Sequence, residues 1–296
     1  MPVGGGGGAN PFGAENEQPL AQAAGNADDD KPLEERLVSK AWAVRKAAFE
    51  ELCATISKFE AGANNQVMNE HASKWAKYLA EPNPGALEKV LDCFHAYIDK
   101  CDGGLLASIQ NSIYAPMTDK CLGAAKPSLK TKSMECMLLY FEVSENFGDE
   151  TLDTLQALIK SNKPKIAMTS FQLLAALMTA YGIKKFNPAR FGPQIVAAAN
   201  SSAPANRTEA MNCYKAIFQW VGEAGVQPFI EPLKEAQKAT LKKDFELLKA
   251  ENKQFKRKTR TEQEAARQAA VDDAVNAAME EEKKEEVIDV YDISAP

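Results

Sequence analysis

Between Leu33 and about Ala250 the apolar residues of this chain recur with helical spacing almost everywhere. Val44, Ala48, Leu52 and Ile56 form one stripe at i, i+4 intervals, and Leu152, Leu155, Leu158 and Ile159 form another. Ile166, Ser170, Leu173, Leu174 and Leu177 make a third, and Tyr214, Ile217, Phe218 and Val221 a fourth. Each set falls on one face of a helix, whereas the alternation that marks a strand is almost absent. Turn-forming residues cut the pattern at Pro82-Asn83-Pro84-Gly85, Gly103-Gly104, Gly123, Pro127 and Asn146-Phe147-Gly148, then at Asn162-Lys163-Pro164, Gly182, Pro188, Gly192-Pro193 and Pro204. The spacing predicts helices of about 12 to 18 residues joined by short turns.

Pairs of such helices recur every 35 to 47 residues or so, the interval of HEAT and armadillo repeats, and about five or six pairs fit. One pair cannot bury its apolar face alone, so the pairs must stack into an elongated array. The expected fold is all-α, a HEAT-repeat solenoid over residues 32–250. Residues 1–31, rich in Gly, Ala and Asn, show no apolar period and are expected to be disordered. Residues 251–296 read as a charged linker or helix, and the pattern leaves open whether 261–286 form a lone helix.

Charge changes that picture. The 296 residues sum to −6, but the blocks differ: five acids and no base in 1–30, and a net +1 over 31–231. Residues 232–260 hold ten bases and four acids, ending in the run from Lys253 to Arg260; residues 261–296 hold eleven acids and three bases. Blocks of this kind mark interaction segments. Within the basic run, Lys253, Lys256, Arg257, Lys258 and Arg260 have three readings: contacts to an acidic surface, a solvated helix face, or a nuclear-import signal.

Candidate chemistry is sparse. A hydrophobic share of 45% supports a sizeable core, but the longest nearly uncharged apolar stretch, Phe171 to Tyr181, is far short of the roughly 20 residues that cross a bilayer. No basic segment precedes an apolar one at the start, so no secretory leader is expected. Six scattered cysteines without a CxxC pair read as reduced thiols. Only His71 and His95 are available to a catalytic triad, and no HExxH, P-loop or GxSxG motif occurs. No enzyme, metal or cofactor is expected; membrane and nucleic-acid partners are not expected either, and the chain reads as monomeric.

The residues at the turns are more informative. Trp42 has Arg45 and Lys46 as its helical neighbours, off the Val44/Ala48/Leu52 stripe. It is either exposed as a binding residue or packed over the end of the core. Lys130, Lys165 and Arg207 each sit in the first turn of a helix, where a cation opposes the helix dipole at a cost of roughly 0.3–1 kcal/mol. The steps from Trp42 to Asn83, Lys130, Lys165 and Arg207 are 41, 47, 35 and 42 residues, about one repeat each. That arrangement places all five along one side, facing an acidic protein partner.

Several segments in order resemble a known family. Lys40-Ala41-Trp42-Ala43-Val44-Arg45 with Phe49-Glu50-Glu51-Leu52 is similar to the opening of a TOG domain of the ch-TOG/Msps microtubule polymerases. Trp75-Ala76-Lys77-Tyr78-Leu79, the run from Lys130 to Glu142, Lys163-Pro164-Lys165-Ile166, and Asn206 to Ala210 leading to Phe218-Gln219-Trp220 follow in sequence. The segment most resembles the first TOG domain of such an array, and Val287 to Asp292 resembles the lead-in to a second. The resemblance implies binding of the αβ-tubulin heterodimer and microtubule plus ends, at microtubules, the spindle and the centrosome or spindle pole. It implies contacts by Trp42, Asn83, Lys130, Lys165 and Arg207, with Arg45 either touching tubulin or bracing the solenoid through a carboxylate. Ala43 and Pro204 stand where the family often has bases, which implies weaker binding. A CLASP-type TOG domain is a less close resemblance. The alternative is a HEAT or armadillo scaffold for another acidic protein.

Overall fold

Prolines and cap residues decide where the helices begin. The computed structural model describes residues 30–143, 149–184, 186–251, 268–276 and 279. Its helices are α1 (Leu33–Arg36), α2 (Trp42–Ile56), α3 (Gln66–Ala72), α4 (Trp75–Tyr78), α5 (Pro84–Lys100) and α6 (Gly103–Pro116), which continues as a π-helical turn over Met117–Cys121. There follow α7 (Pro127–Val143), α8 (Asp149–Ile159), α9 (Pro164–Tyr181), α10 (Pro188–Ala199), α11 (Pro204–Ile230) and α12 (Glu235–Glu251). Pro opens α5, α7, α9, α10 and α11, where its missing N–H costs nothing and its fixed φ suits a helix. A second feature was not read from the stripes: Gly222, at φ 68° and ψ −169°, breaks α11 into two helical pieces. That left-handed φ is one glycine adopts freely.

The helices form two layers. α2, α5, α7, α9 and α11 lie side by side in that order, and α1, α3 with α4, α6, α8 and α10 each precede and pack on one of them. With the second piece of α11 against α12, six pairs are present among the described residues, the all-α HEAT-type stack that the spacing predicts. The inner layer runs parallel, because starts meet starts and ends meet ends. Lys126, just before α7, reaches Glu88 early in α5 at 2.6 Å, and Lys165 early in α9 reaches Asp119 before α7 at 3.6 Å. At the far end Tyr181 donates to the Leu138 carbonyl at 2.7 Å. All five inner helices therefore begin on one edge of the stack.

The core is continuous from Leu37 to Phe245. Trp75 is fully buried against Tyr78, Phe94 and Tyr97, with ring centroids 4.8 to 5.6 Å away. Buried tyrosine hydroxyls tie the two layers of a pair together through backbone carbonyls: Tyr97 of α5 to Met68 of α3 at 2.9 Å, and Tyr140 of α7 to Leu106 of α6. Such bonds satisfy groups that would otherwise be costly to bury. No helix of the described residues is long and apolar enough to cross a membrane. Residues 268–276 are helical and exposed, which answers for that stretch the question the sequence left open. Residues 1–29 of the segment 1–31 expected to be disordered, and the basic run, lie outside the described residues.

His71 holds the short first helix in place. It is 2% exposed, with Nε2 at 3.3 Å from Glu34 of α1 and Nδ1 at 3.3 Å from the Tyr78 hydroxyl. Burial pushes its pKa below the ordinary 6.5; Glu34 and Glu70 pull it up and Lys74 pushes it further down. The folded state thus resists a proton that the unfolded chain accepts, so this contribution is complete above about pH 6.5 and is lost as pH falls toward the folded value. Urea melts of the His71→Gln variant should show a flatter loss of stability between about pH 7 and about pH 5 than the parent. An unchanged slope would remove His71 from the acid response.

Candidate functional site

The edge where the inner helices start is built by a repeated turn. Before four of the five helices, a side chain two residues ahead of the cap accepts the cap residue's N–H: Ser39 from Ala41 at 3.2 Å, Glu81 from Asn83 at 2.8 Å, Ser161 from Lys163 at 3.2 Å and Ser201 from Ala203 at 3.2 Å; before α7 that place is Ala124. α2, α9 and α11 have no side-chain cap of their own. No acidic residue occupies the first turn of α2, α5, α7, α9 or α11. Five positive helix ends therefore emerge along one edge without the carboxylates that usually complement them. The pattern stops at α12, which opens with Glu235.

Trp42 is the first residue of α2, in the position that proline takes in α5, α7, α9 and α11. It is 48% exposed. A Cβ built on Gly85 would stand 3.7 Å from Cζ3 of the indole, so the ring leans on the start of α5. The stripe below it is buried and does not include it. The indole is thus exposed rather than packed over the end of the core.

Arg45 does not present a free charge. Its Nε and Nη2 donate to the two carboxylate oxygens of Glu81, both at 2.6 Å, and its Nη1 donates to the carbonyls of Ser39 at 2.6 Å and Lys40 at 3.0 Å. The side chains are 14% and 5% exposed. Hydrogen bonding to Glu81 raises the guanidinium pKa further, outweighing burial. Glu81 also accepts the Asn83 N–H, so one buried carboxylate joins turn 1 to turn 2. Of the two roles the resemblance implies for Arg45, this is the geometry of bracing: its donors meet Glu81 and two backbone carbonyls in a bidentate, charge-assisted arrangement.

Asn83 is likewise a cap. Its Oδ1 accepts from Gly85 at 2.9 Å and Ala86 at 3.0 Å, which leaves the half-buried side chain chiefly its amide N–H groups to offer. Lys130 is exposed, and among the described residues it has no carboxylate partner. Arg207 repeats half of the Arg45 arrangement: Nη1 donates to the carbonyls of Ser201 at 2.8 Å and Ser202 at 2.7 Å, but no carboxylate among the described residues neutralises it. Lys165 is half-exposed and shares Asp119 with Lys120. Its chain passes so close to Gly123 that a Cβ there would meet Cε at 2.2 Å and the Asp119 carbonyl at 2.7 Å.

The six positions, with Trp42 as the first residue of its helix, thus share an edge but not one register. Arg45, Lys130 and Arg207 are each the fourth residue of their helix, Lys165 the second, and Asn83 the cap. Two cations were overlooked: Lys40, next to the cap of α2, and Lys163, the cap of α9 itself, both exposed without an ion pair among the described residues. Counting from the proline that opens each helix would have found Lys163. Lys253, Lys256, Arg257, Lys258 and Arg260 lie outside the described residues. No group of three or more metal-ligating side chains occurs among the described residues.

Comparisons with known proteins bear on the same region. The family model described as XMAP215/Dis1/CLASP, TOG domain, matches residues 29–245. Centrosomal protein 224 of Dictyostelium discoideum is 27% identical over 227 residues, covering 75% of this chain and 11% of that protein. The spindle pole body component alp14 of Schizosaccharomyces pombe is 24% identical over 225 residues, covering 74% and 27%. Protein mini spindles of Drosophila melanogaster is 23% identical over 278 residues, covering 88% and 13%. The chain thus spans between 11% and 27% of the length of these curated relatives. Among solved structures, one of tubulin recruitment and assembly by microtubule polymerases with TOG domain arrays superposes with a TM-score of 0.61 at 20% identity, over 72% of this chain and 45% of that one. The MAST/Orbit N-terminal domain superposes equally, 0.61 at 15% identity, over 74% and 96%. At these identities the likeness is one of fold.

The bracing role of Arg45 is checked by a double-mutant cycle on stability. Arg45→Ala and Glu81→Ala should each cost about 3 kcal/mol in denaturant unfolding, since each strands a buried partner. The double variant should lose clearly less than the sum of the two. Additive losses would mean that the pair does not act as a unit.

Proposed function

This chain belongs to the XMAP215/Dis1/CLASP family of TOG domains, and from that premise we propose that it binds the αβ-tubulin heterodimer through the edge of helix starts, as part of a regulator of microtubule growth. One observation carries the reading: an exposed tryptophan and cations without carboxylate partners share an edge made of five acid-free helix starts. Trp42 supplies apolar area at one end, as aromatic residues at interface centres do. Lys130 and Arg207, with Lys40 and Lys163, supply attraction to an acidic surface and orient it. Lys165 contributes less, being shared with Asp119, and Asn83 contributes through its amide and by holding turn 2. Ala43 and Pro204 put no charge on the edge, which sets affinity below that of a fully basic one. No step of this function calls for catalysis.

The mechanism is differential affinity. A ligand shifts its target between shapes only as far as it prefers one of them. A stack in which each pair is held by the next presents its turns at fixed spacing, so it suits one curvature of tubulin better than another. Free, curved tubulin is the shape we assign to it. We place the TOG domain at 32–250, first in an array, from the Lys40 to Arg45 segment and the lead-in at Val287 to Asp292. Relatives named for the centrosome, the spindle pole body and mini spindles support a place at microtubules, the spindle and its poles. The basic run from Lys253 to Arg260 is assigned to the lattice or to tubulin's acidic tails.

Size-exclusion chromatography with purified tubulin tests the reading. The parent chain should co-elute with the heterodimer at low salt and progressively less as salt rises, because Lys40, Lys130 and Lys163 are exposed. Trp42→Ala combined with Lys130→Glu should abolish co-elution with helicity unchanged. Retained co-elution by that double variant would reject the edge as the binding surface.

A further inference from the structure

Turn 1 carries a second exposed apolar residue that a row of helix starts does not explain. Val38, four residues before Trp42, is 50% exposed. It stands at an open cleft of about 380 Å³ bounded by the end of α1, the start of α2 and the end of α4. Leu37, Phe49 and Tyr78, all buried, give the cleft an apolar floor. The Arg45–Glu81 pair forms part of its wall, and Lys77 part of its lining.

The chemistry of these walls selects the occupant. Arg45 already makes four hydrogen bonds and Glu81 accepts three, while the Tyr78 hydroxyl faces His71. A polar ligand would have to displace satisfied bonds to gain new ones, whereas an apolar side chain displaces only water. Lys77 is exposed and without a carboxylate partner among the described residues, so it adds a demand for negative charge beside the apolar group. The cleft runs into the proposed interface directly, since Ser39 and Arg45 belong both to its lining and to the turn that carries Trp42.

We infer that this cleft receives an apolar side chain of the tubulin surface next to the one Trp42 covers, flanked there by a carboxylate that Lys77 meets. The inference rests on the tubulin-binding reading of the same edge and adds a pocket to it: the interface is then a knob, Trp42, beside a hole, the Val38 cleft.

Fluorescence anisotropy with labelled tubulin separates the two ideas. Val38→Asp should weaken binding by about tenfold or more, the scale of an interface hot spot, while Val38→Leu binds like the parent. Lys77→Glu should weaken it by about threefold, an effect that fades with salt. If Trp42→Ala weakens binding but Val38→Asp does not, the cleft is empty in the complex and the inference fails while the edge stands. If Trp42→Ala together with Lys130→Glu leaves binding intact, the edge reading fails and takes the cleft with it. Sedimentation of the chain alone covers the other occupant: a dimer that Val38→Asp dissolves would assign the cleft to a second copy instead. Val38 is exposed, so circular dichroism of Val38→Asp should match the parent.

Discussion

Everything on the active edge follows from the parallel stacking of α2, α5, α7, α9 and α11. No helix pair can hide its apolar face alone, so each inner helix must lie along its predecessor. Because every pair turns back on itself, the inner helices all point the same way, and their starts emerge together. Helix starts are positive and leave N–H groups unmatched. None of these five starts has an acidic first turn, a feature they share with α3, α4, α6 and α10 of the outer layer. Omitting the carboxylates costs some stability at each turn and leaves a rigid, positive strip. What sets this edge apart is the exposed indole of Trp42 together with the exposed Lys40, Lys130 and Lys163.

Charge on that strip is divided between bracing and binding. At the Trp42 end, Arg45 is neutralised by Glu81, and the same carboxylate orders Asn83, so turns 1 and 2 move as one body. Farther along, Arg207 uses carbonyls rather than a carboxylate to fix its turn, which braces without cancelling charge. The two ends therefore differ in kind: the Trp42 end sets the exposed Lys40 and Lys77 beside apolar, concave surface, while the far end carries Arg207 held by backbone carbonyls. A partner must match both, which fixes its orientation along the solenoid.

Much of this was legible from the chain alone. The helical stripes and the proline-marked turns gave the repeat, because burying a face and starting a helix are local demands. Trp42 was legible because it sits beside Arg45 and Lys46 and off its own stripe. What stayed hidden depends on the offset between neighbouring pairs. Glu81 lies 36 residues from Arg45, and nothing in either segment says that they meet. Asp119 for Lys165 and the floor of the Val38 cleft are of the same kind. Lys163 was missed for a different reason: its side chain was read as part of a turn motif rather than by its place relative to Pro164. The break at Gly222 was invisible because apolar spacing continues on both sides of it.

A structure of this chain bound to the αβ-tubulin heterodimer would test the edge most directly. The indole of Trp42 should then be buried against tubulin, with Lys130 and Arg207 within ion-pair reach of its carboxylates and Arg45 still held by Glu81. Tubulin seated instead on the opposite edge, where α9 ends and Trp220 lies over Gly182, with Trp42 left in solvent, would contradict it.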